Sequence, residues 1–223
     1  MKLTLSSFFV CFFLLCGHAF GNNVVKTYSI KVNGIKIGKL NWDIKIKNKN
    51  YSNNIYLKSE GLLSIMYSFE GKYSSTGDIE NKFLSPNNYK HFWKTNKKTK
   101  TVSLVFQNNK LKSLNQKPDE KESLRVDVFN IQQTKDPLTA FLQIIMGIKS
   151  VLVIDGRRLY TMSAENYKNT NQTLVEIINY SNLWADHKRN KFEKIVFEKK
   201  NEDLLPYKIY IYFDGRVFKL QEN

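Results

Sequence analysis

Apolar and polar residues alternate along much of the chain, and this period of two constrains the fold more than any other feature. Residues 40–46, 65–73, 102–106 and 207–213 each place apolar or small side chains at every second position. Successive side chains of a strand point to opposite faces, so each run predicts a strand with one buried and one solvated face. Half-buried strands of this kind are typical of antiparallel sheets, and the sequence therefore predicts a mainly β protein.

Turn-forming dipeptides separate these runs. The candidates are Asn33-Gly34, Asn87-Asn88, Asn108-Asn109, Asp155-Gly156 and Asp214-Gly215. Such pairs favour tight hairpins because their residues tolerate positive φ. We therefore predict ten to twelve short strands, nearly all hairpin neighbours, in a single curved antiparallel sheet or half-open β-barrel.

One segment, residues 136–147, has the signals of a helix instead. Asp136 can accept hydrogen bonds from the free N–H groups, Pro137 suits the first helical position, and Gly147 suits a left-handed stop. Apolar residues recur at the i, i+3, i+4 spacing of one helix face, and others surround them. We predict that this one principal helix packs on the concave face of the sheet.

The N-terminal 21 residues have the pattern of a secretory signal peptide. Lys2 supplies a short positive region, and residues 8–15 form an apolar run that is too short for a comfortable transmembrane helix. Cleavage after Gly21 would leave residues 22–223 as a single β-rich periplasmic domain.

Other forms of processing stay open. Cleavage after Ala19 is the close competitor, Cys16 could belong to a lipoprotein signal, and the segment could stay uncleaved as an anchor. Cys11 and Cys16 are the two cysteines of the chain, so residues 22–223 contain neither a disulfide nor a cysteine metal site.

The net charge of +15 does not indicate nucleic-acid binding. The 35 basic residues comprise 30 Lys and 5 Arg, and they are scattered rather than clustered on one predicted element. A nucleic-acid binder concentrates its charge and uses Arg for base contacts. We expect no nucleic-acid partner, whereas an anionic envelope surface stays open as a partner.

The chain offers little for catalysis. Neither His91 nor His187 has a Glu or a second His at metal-ligand spacing. The sequence also lacks a nucleophile elbow, a glycine-rich phosphate loop and an EF-hand loop. We predict no catalytic residue, no metal and no cofactor.

The most distinctive short motif is the hairpin that begins at Asp155-Gly156. Arg157 and Arg158 are two of only five arginines and stand side by side, followed by Tyr160. A guanidinium suits carboxylate or phosphate recognition, so we predict that these three residues bind a ligand. The alternative is a well-made turn stabilised by an ion pair. Adjacent strand positions face opposite ways, so at most one arginine should line a concave interior.

Several motifs occur in the order typical of a known family. They are Tyr28, Gly34, Gly38, Asp136-Pro137, Asp155-Gly156-Arg157-Arg158 and Leu205-Pro206. With these motifs the chain resembles domain-of-unknown-function family 3108, whose members are exported proteins of Gram-negative bacteria. The resemblance implies periplasmic residence and a β-rich fold. It implies no activity. We predict structural roles for the motif residues Gly34, Gly38, Asp136, Pro137, Asp155, Gly156 and Pro206.

Three functions are compatible with these features. The leading prediction is a non-enzymatic periplasmic binding or envelope-maintenance module whose ligand is a lipid or a lipoprotein. The first alternative is a structural or interaction protein that docks an envelope partner and has a filled interior, and the second is a cell-wall glycan hydrolase. An apolar cavity under the helix would favour the binding module.

Overall fold

The computed structural model describes residues 22–61, 64, 68–167, 170–184 and 192–223. The predicted signal peptide lies outside the described residues, as do residues 65–67 of one alternating run and His187.

Thirteen strands and one helix are formed within the described residues. They are β1 (Asn22–Val32), β2 (Ile35–Lys47), β3 (Asn50–Ser59), β4 (Phe69–Glu80), β5 (Phe83–Thr95), β6 (Thr99–Gln107), β7 (Lys110–Lys117), α1 (Pro137–Ile145), β8 (Ser150–Ile154), β9 (Arg158–Asn166), β10 (Gln172–Asn182), β11 (Phe192–Glu198), β12 (Lys208–Phe213) and β13 (Arg216–Glu222). The mainly β prediction is confirmed, although the strands are more numerous and longer than predicted.

All thirteen strands belong to one antiparallel sheet. Its order is β7-β6-β5-β4-β3-β2-β1-β13-β12-β11-β10-β9-β8. The first and last strands meet at its centre, where Tyr28 lies opposite Glu222. No strand pairing joins β7 to β8 among the described residues, so the sheet is a curved, half-open barrel, as predicted.

The predicted alternation determines which face of the sheet is inside. On β2, Leu40, Trp42 and Ile44 are buried, and the intervening Asn41 and Asp43 lie on the outer face. Val102, Leu104 and Phe106 of β6 are buried in the same way. The hydrophobic effect thus selects one face of every strand for the barrel interior.

Four of the five predicted turns occur at hairpins. Asn33-Gly34, Asn108-Asn109 and Asp214-Gly215 have positive φ at both residues and join consecutive strands. Asp155-Gly156 begins the link between β8 and β9. The prediction of a turn at Asn87-Asn88 is wrong, because both residues lie within β5.

Asn87 is instead the extra residue of a β-bulge. Gly77 of β4 is opposite Pro86 and Thr76 is opposite Asn88, which leaves Asn87 without a partner in the ladder. The chain reverses earlier, at Asn81 and Lys82, both of which have positive φ. Bulges and turns favour the same residue types, so the local sequence alone did not separate them.

Strand β7 continues to Lys117, and Pro118 follows it. The long connection from there to the helix, residues 118–135, is here called the edge strap.

The edge strap lies along the opening of the barrel and contacts both edge strands. Gln132 forms a bridge with Lys110 of β7, and Lys135 forms a parallel bridge with Val153 of β8. The Lys135 N–H donates to the Leu152 carbonyl at 2.9 Å. The strap therefore occupies the opening that strand pairing leaves.

The predicted capping of α1 is confirmed. The Asp136 carboxylate Oδ1 accepts hydrogen bonds from the N–H groups of Leu138 and Thr139 at 2.9 and 3.0 Å. Asp136 is fully buried, and its Oδ2 accepts a hydrogen bond from the Ser75 hydroxyl of β4 at 2.8 Å. Gly147 has a φ of +102°, the left-handed conformation expected after the helix end.

The helix fills the barrel interior around it. Every residue from 138 to 145 is buried. The Phe141 ring stacks on Trp42 of β2 with centroids 5.9 Å apart and meets Phe197 of β11 edge-on at 5.7 Å. These contacts confirm that α1 lies on the concave face.

Two other motif positions hold distant parts of the chain together. The buried Tyr28 hydroxyl donates to the Pro206 carbonyl at 2.6 Å, which ties β1 to the segment before β12. A Cβ atom at Gly38 would lie only 2.5 Å from the Lys58 carbonyl oxygen, so β2 and β3 approach too closely for a larger residue.

Candidate ligand-binding site

The barrel interior contains a cavity next to the region that α1 fills. On β4, Ser75 contacts the helix cap, whereas Tyr73, two residues earlier on the same face, lines a cavity of about 490 Å³. None of the lining residues in the described chain comes from α1. The helix side chains fill the space beneath α1 themselves, so the apolar cavity that would favour the binding module does not lie under the helix.

This cavity, here called the end cavity, has apolar and polar parts. Its mostly aromatic wall consists of Tyr73, Trp93, Tyr160, Ile177, Phe192 and Phe213. Its polar lining consists of His91, Lys98, Lys100, Asp155, Arg158 and Tyr180. Lys98 and Phe213 are exposed, so they mark the solvent side, whereas Tyr160 is buried on the inner side.

The period of two explains which residues reach the end cavity from β9. Arg158 and Tyr160 are two residues apart and share the inner face, while Leu159 between them packs on the other side. Of the three predicted ligand-binding residues, Arg158 and Tyr160 thus line the end cavity and Arg157 does not.

The hairpin before β9 is stabilised locally. The Asp155 Oδ1 accepts hydrogen bonds from the backbone N–H groups of Arg157 and Arg158 at 2.9 and 2.8 Å. Gly156 has a φ of +95°, and a Cβ atom there would lie 2.6 Å from Val102 Cγ1. The Asp-Gly pair therefore has the predicted structural role.

Arg157 holds the edge strap. Its Nε donates to Glu120 Oε1 at 2.6 Å, and its NH2 group donates to the Pro118 carbonyl at 3.0 Å. The Arg157 and Glu120 side chains are only 12% and 14% exposed. This arrangement is the structural ion pair that the alternative interpretation of the motif describes.

Arg158 has a different environment. Its NH1 group lies 3.4 Å from Asp155 Oδ2, a long contact, and its Nε is buried with no hydrogen-bond partner among the described residues. The His91 Nε2 atom is likewise buried and without a partner there. The His91 ring stacks on Tyr73 with centroids 4.4 Å apart, which fixes its orientation.

The electrostatics of the end cavity favour an anion. Burial, together with the charges of Lys100 and Arg157, lowers the pKa of His91 to about 4, so this imidazole is neutral at pH 7. Burial and the neighbouring arginines also lower the pKa of Lys100. Three cationic side chains, Lys98, Lys100 and Arg158, face one carboxylate, that of Asp155.

The sequence reasoning missed His91 and Lys100 as members of this site. Alternation through Tyr89, His91 and Trp93 could have placed His91 on the inner face of β5. Nothing local indicates that β5 and β6 face β9 across the interior, because that follows from the curvature of the whole sheet.

A larger concavity lies elsewhere on the described part of the chain. A groove of about 820 Å³ lies mainly on the outward-facing side chains of β2 to β7. Lys72 lies over the rings of Tyr56 and Phe92 there, 5.7 Å from each centroid. Tyr73 and His91 line this groove as well as the end cavity. Size alone does not indicate a ligand, and Arg158, with its unpaired Nε, lines the end cavity but not the groove.

Two further features concern metals and membranes. Among the described residues, no group of three or more His, Cys, Asp or Glu side chains is placed to hold a metal ion. In the same part of the chain, no helix has the length and apolar character needed to cross a membrane.

Comparisons with known proteins agree with the fold. The family described as "Protein of unknown function (DUF3108)" matches residues 27–177. No curated protein matches the chain. A β-barrel-like protein of the domain of unknown function DUF1849 from Brucella abortus has a similar structure, with a TM-score of 0.51 and 8% identity over 89% of this chain and 95% of that chain.

Proposed function

This chain belongs to the DUF3108 family, and we propose that it is a non-enzymatic binding module that holds an apolar, lipid-like ligand in the end cavity. The observation that carries the proposal is a ring-lined cavity of about 490 Å³ in an interior that α1 otherwise fills. Ligand sites typically have volumes of ~300–1,000 Å³, with apolar walls and a few polar groups.

The composition of the wall supports an apolar ligand. The aromatic rings of the wall come from five different strands and converge on the cavity. In a well-packed core, other side chains would cover such ring faces. Covering these ring faces with an acyl chain would remove apolar surface from water, at roughly 25 cal/mol per Å². A lipid or the acyl groups of a lipoprotein would supply such a chain.

The groove of about 820 Å³ on β2 to β7, here called the outer groove, supports the alternative function, an interaction protein that docks an envelope partner. Its amide, hydroxyl and lysine side chains surround two aromatic rings, which is a surface that a partner could cover. A glycan hydrolase is not proposed, because glycosidases generally use two carboxylates and Asp155 is the one carboxylate that lines the end cavity among the described residues.

Export to the periplasm is part of the proposal and rests on residues 1–21. We expect the mature chain to begin at Asn22, or at Phe20 if cleavage follows Ala19. Intact mass measured after periplasmic extraction distinguishes the two. A diacylglyceryl adduct on Cys16 would contradict both and place the chain among the lipoproteins.

A matched pair of variants on β10 tests the ligand site. Ile177 lines the end cavity, whereas its neighbour Ile178 is 38% exposed on the outer face. Ile177→Trp should fill the cavity and abolish binding of N-phenyl-1-naphthylamine, an uncharged apolar fluorophore. Ile178→Trp adds the same ring outside the cavity and should bind the fluorophore like the wild type.

The outcome that contradicts the proposal is equally clear. If folded Ile177→Trp protein still binds the fluorophore as the wild type does, the end cavity is not the apolar site. Native mass spectrometry of the wild type, purified from its own periplasm, should show a bound lipid that the Ile177→Trp variant lacks.

A further inference from the structure

The polar side chains of the end cavity indicate the class of its ligand more closely than the apolar wall does alone. We infer that the ligand is an anionic amphiphile, with a carboxylate or phosphate that contacts Arg158, Lys100 and His91 and a tail that lies against the rings. This inference rests on the proposed function and names the ligand class of that same site.

Two buried donor atoms point to an acceptor on the ligand. Arg158 Nε always carries a hydrogen, and His91 Nε2 carries one in the tautomer that donates. Neither has a hydrogen-bond partner among the described residues. An unsatisfied buried donor is destabilising and is rare in native proteins. Two such donors in one cavity are accounted for if a ligand oxygen accepts from them.

Among the described residues, Asp155 only partly neutralises the cations of the end cavity. The Asp155 Oδ1 already accepts from two backbone N–H groups, and Asp155 Oδ2 is 3.4 Å from Arg158 NH1. That distance exceeds the ~2.7–2.9 Å of a strong charge-assisted hydrogen bond. Arg158 and Lys100 thus retain the capacity to bind an anion, and a guanidinium fork matches a carboxylate or phosphate.

The position of the cations specifies an amphiphile rather than a free ion. Tyr160 lies on the inner side of the cavity beside Arg158, and Phe213 lies at the solvent side. A small inorganic anion would satisfy the cations and leave the exposed Phe213 ring and the half-buried Trp93 ring uncovered. A tail joined to the anion covers both, which a free phosphate cannot do.

Three ligands with the same tail test the head group. Dodecanoate, dodecyl phosphate and dodecanol are titrated against wild-type protein by displacement of N-phenyl-1-naphthylamine, below the micelle concentrations. We expect at least one of the two anions to bind at least tenfold more tightly than dodecanol. Which anion is preferred identifies the head group as a carboxylate or a phosphate, and inorganic phosphate should not displace the fluorophore.

Variants at Arg158 and Lys100 then test whether these residues cause the preference for an anion over dodecanol. Arg158→Gln should reduce the preference for the anion to less than threefold, and Lys100→Gln should reduce it in the same direction. Lys47→Gln removes one positive charge from an exposed position at the far end of β2, which does not line the end cavity, and should retain the full preference. If Arg158→Gln does not fold, Arg158→Lys keeps the charge but lacks the Nε–H group, and Lys100→Gln provides an independent test.

The results separate this inference from the function on which it rests. If dodecanol binds as tightly as both anions, or if folded Arg158→Gln and Lys100→Gln both keep the wild-type preference, the anionic class is wrong although apolar binding stands. If the wild type does not bind the fluorophore at all, the proposed function itself fails. A preference that Lys47→Gln also abolishes would reflect net charge rather than the end cavity and would overturn the inference.

Discussion

Arg157 should contribute to stability rather than to ligand binding, and Arg157→Gln tests this. The substitution removes the charge that faces Glu120 at 2.6 Å and leaves a carboxylate that is only 14% exposed. Breaking a buried ion pair from one side costs ~3–5 kcal/mol. Because both side chains keep some exposure, we expect the low end, a loss of about 3 kcal/mol in the free energy of unfolding.

Urea unfolding of four proteins measures this effect. The wild type, Arg157→Gln, Glu120→Gln and the double variant form a cycle, and contacting residues typically couple by ~0.5–3 kcal/mol. The double variant should therefore lose less than the sum of the two single losses. Arg125→Gln is the matched control, because its ion pair with Glu122 on the same strap is 41% and 51% exposed and should contribute less than ~1 kcal/mol.

Two results would refute this reasoning. Arg157→Gln could unfold within 0.5 kcal/mol of the wild type, in which case the ion pair does not hold the edge strap. Alternatively, it could keep full stability and lose anion binding as Arg158→Gln does. Arg157 would then belong to the ligand site, as the sequence predicts.

Two further predictions concern the core and pH. Leu142→Asp places a carboxylate at a fully buried position of α1, so we expect an unfolded or aggregated protein, and a thermal melt within two degrees of the wild type would show that the helix is not in the core. The pKa of His91 is about 4 when folded and 6.5 when unfolded, so the unfolded state binds the extra proton and stability falls as the pH drops through this window. The variant His91→Phe keeps a ring against Tyr73 but cannot titrate, so it serves as the reference. As the pH is lowered from 7 to 4, the unfolding free energy of the wild type should fall by about 3 kcal/mol more than that of His91→Phe. A difference that does not change with pH would mean that His91 is accessible to protons in the folded state.

The parts of the fold that depend on local chemistry were predictable. Asp136 and Pro137 mark the start of the helix because capping involves residues within one turn of each other. The alternation on β2 was equally clear, since one face of that strand is fully buried. The prediction of a turn at Asn87-Asn88 was wrong because Asn suits both a bulge and a turn. The real turn includes Lys82, a residue type that does not indicate the left-handed conformation that it adopts there.

The candidate site was predictable only on the strand that carries the motif. Arg158 and Tyr160 follow a recognisable hairpin, and the opposite orientations of Arg157 and Arg158 follow from strand geometry. His91 and Lys100 come from β5 and β6, which are far from β9 in both the chain and the sheet order. They meet only because the sheet curves through space, and that curvature is a property of all thirteen strands together.

The pairing of the first strand with the last has a consequence for the order of folding. Strands β1 to β7 form one run of local hairpins, and β8 to β13 form another, so each run can assemble from near neighbours. The β1–β13 ladder joins them and is the contact of longest sequence separation, which makes it the step with the greatest loop-closure entropy. His91 belongs to the first run and Arg158 to the second, so neither run can build the end cavity alone. The end cavity is therefore complete only once β13 has docked on β1.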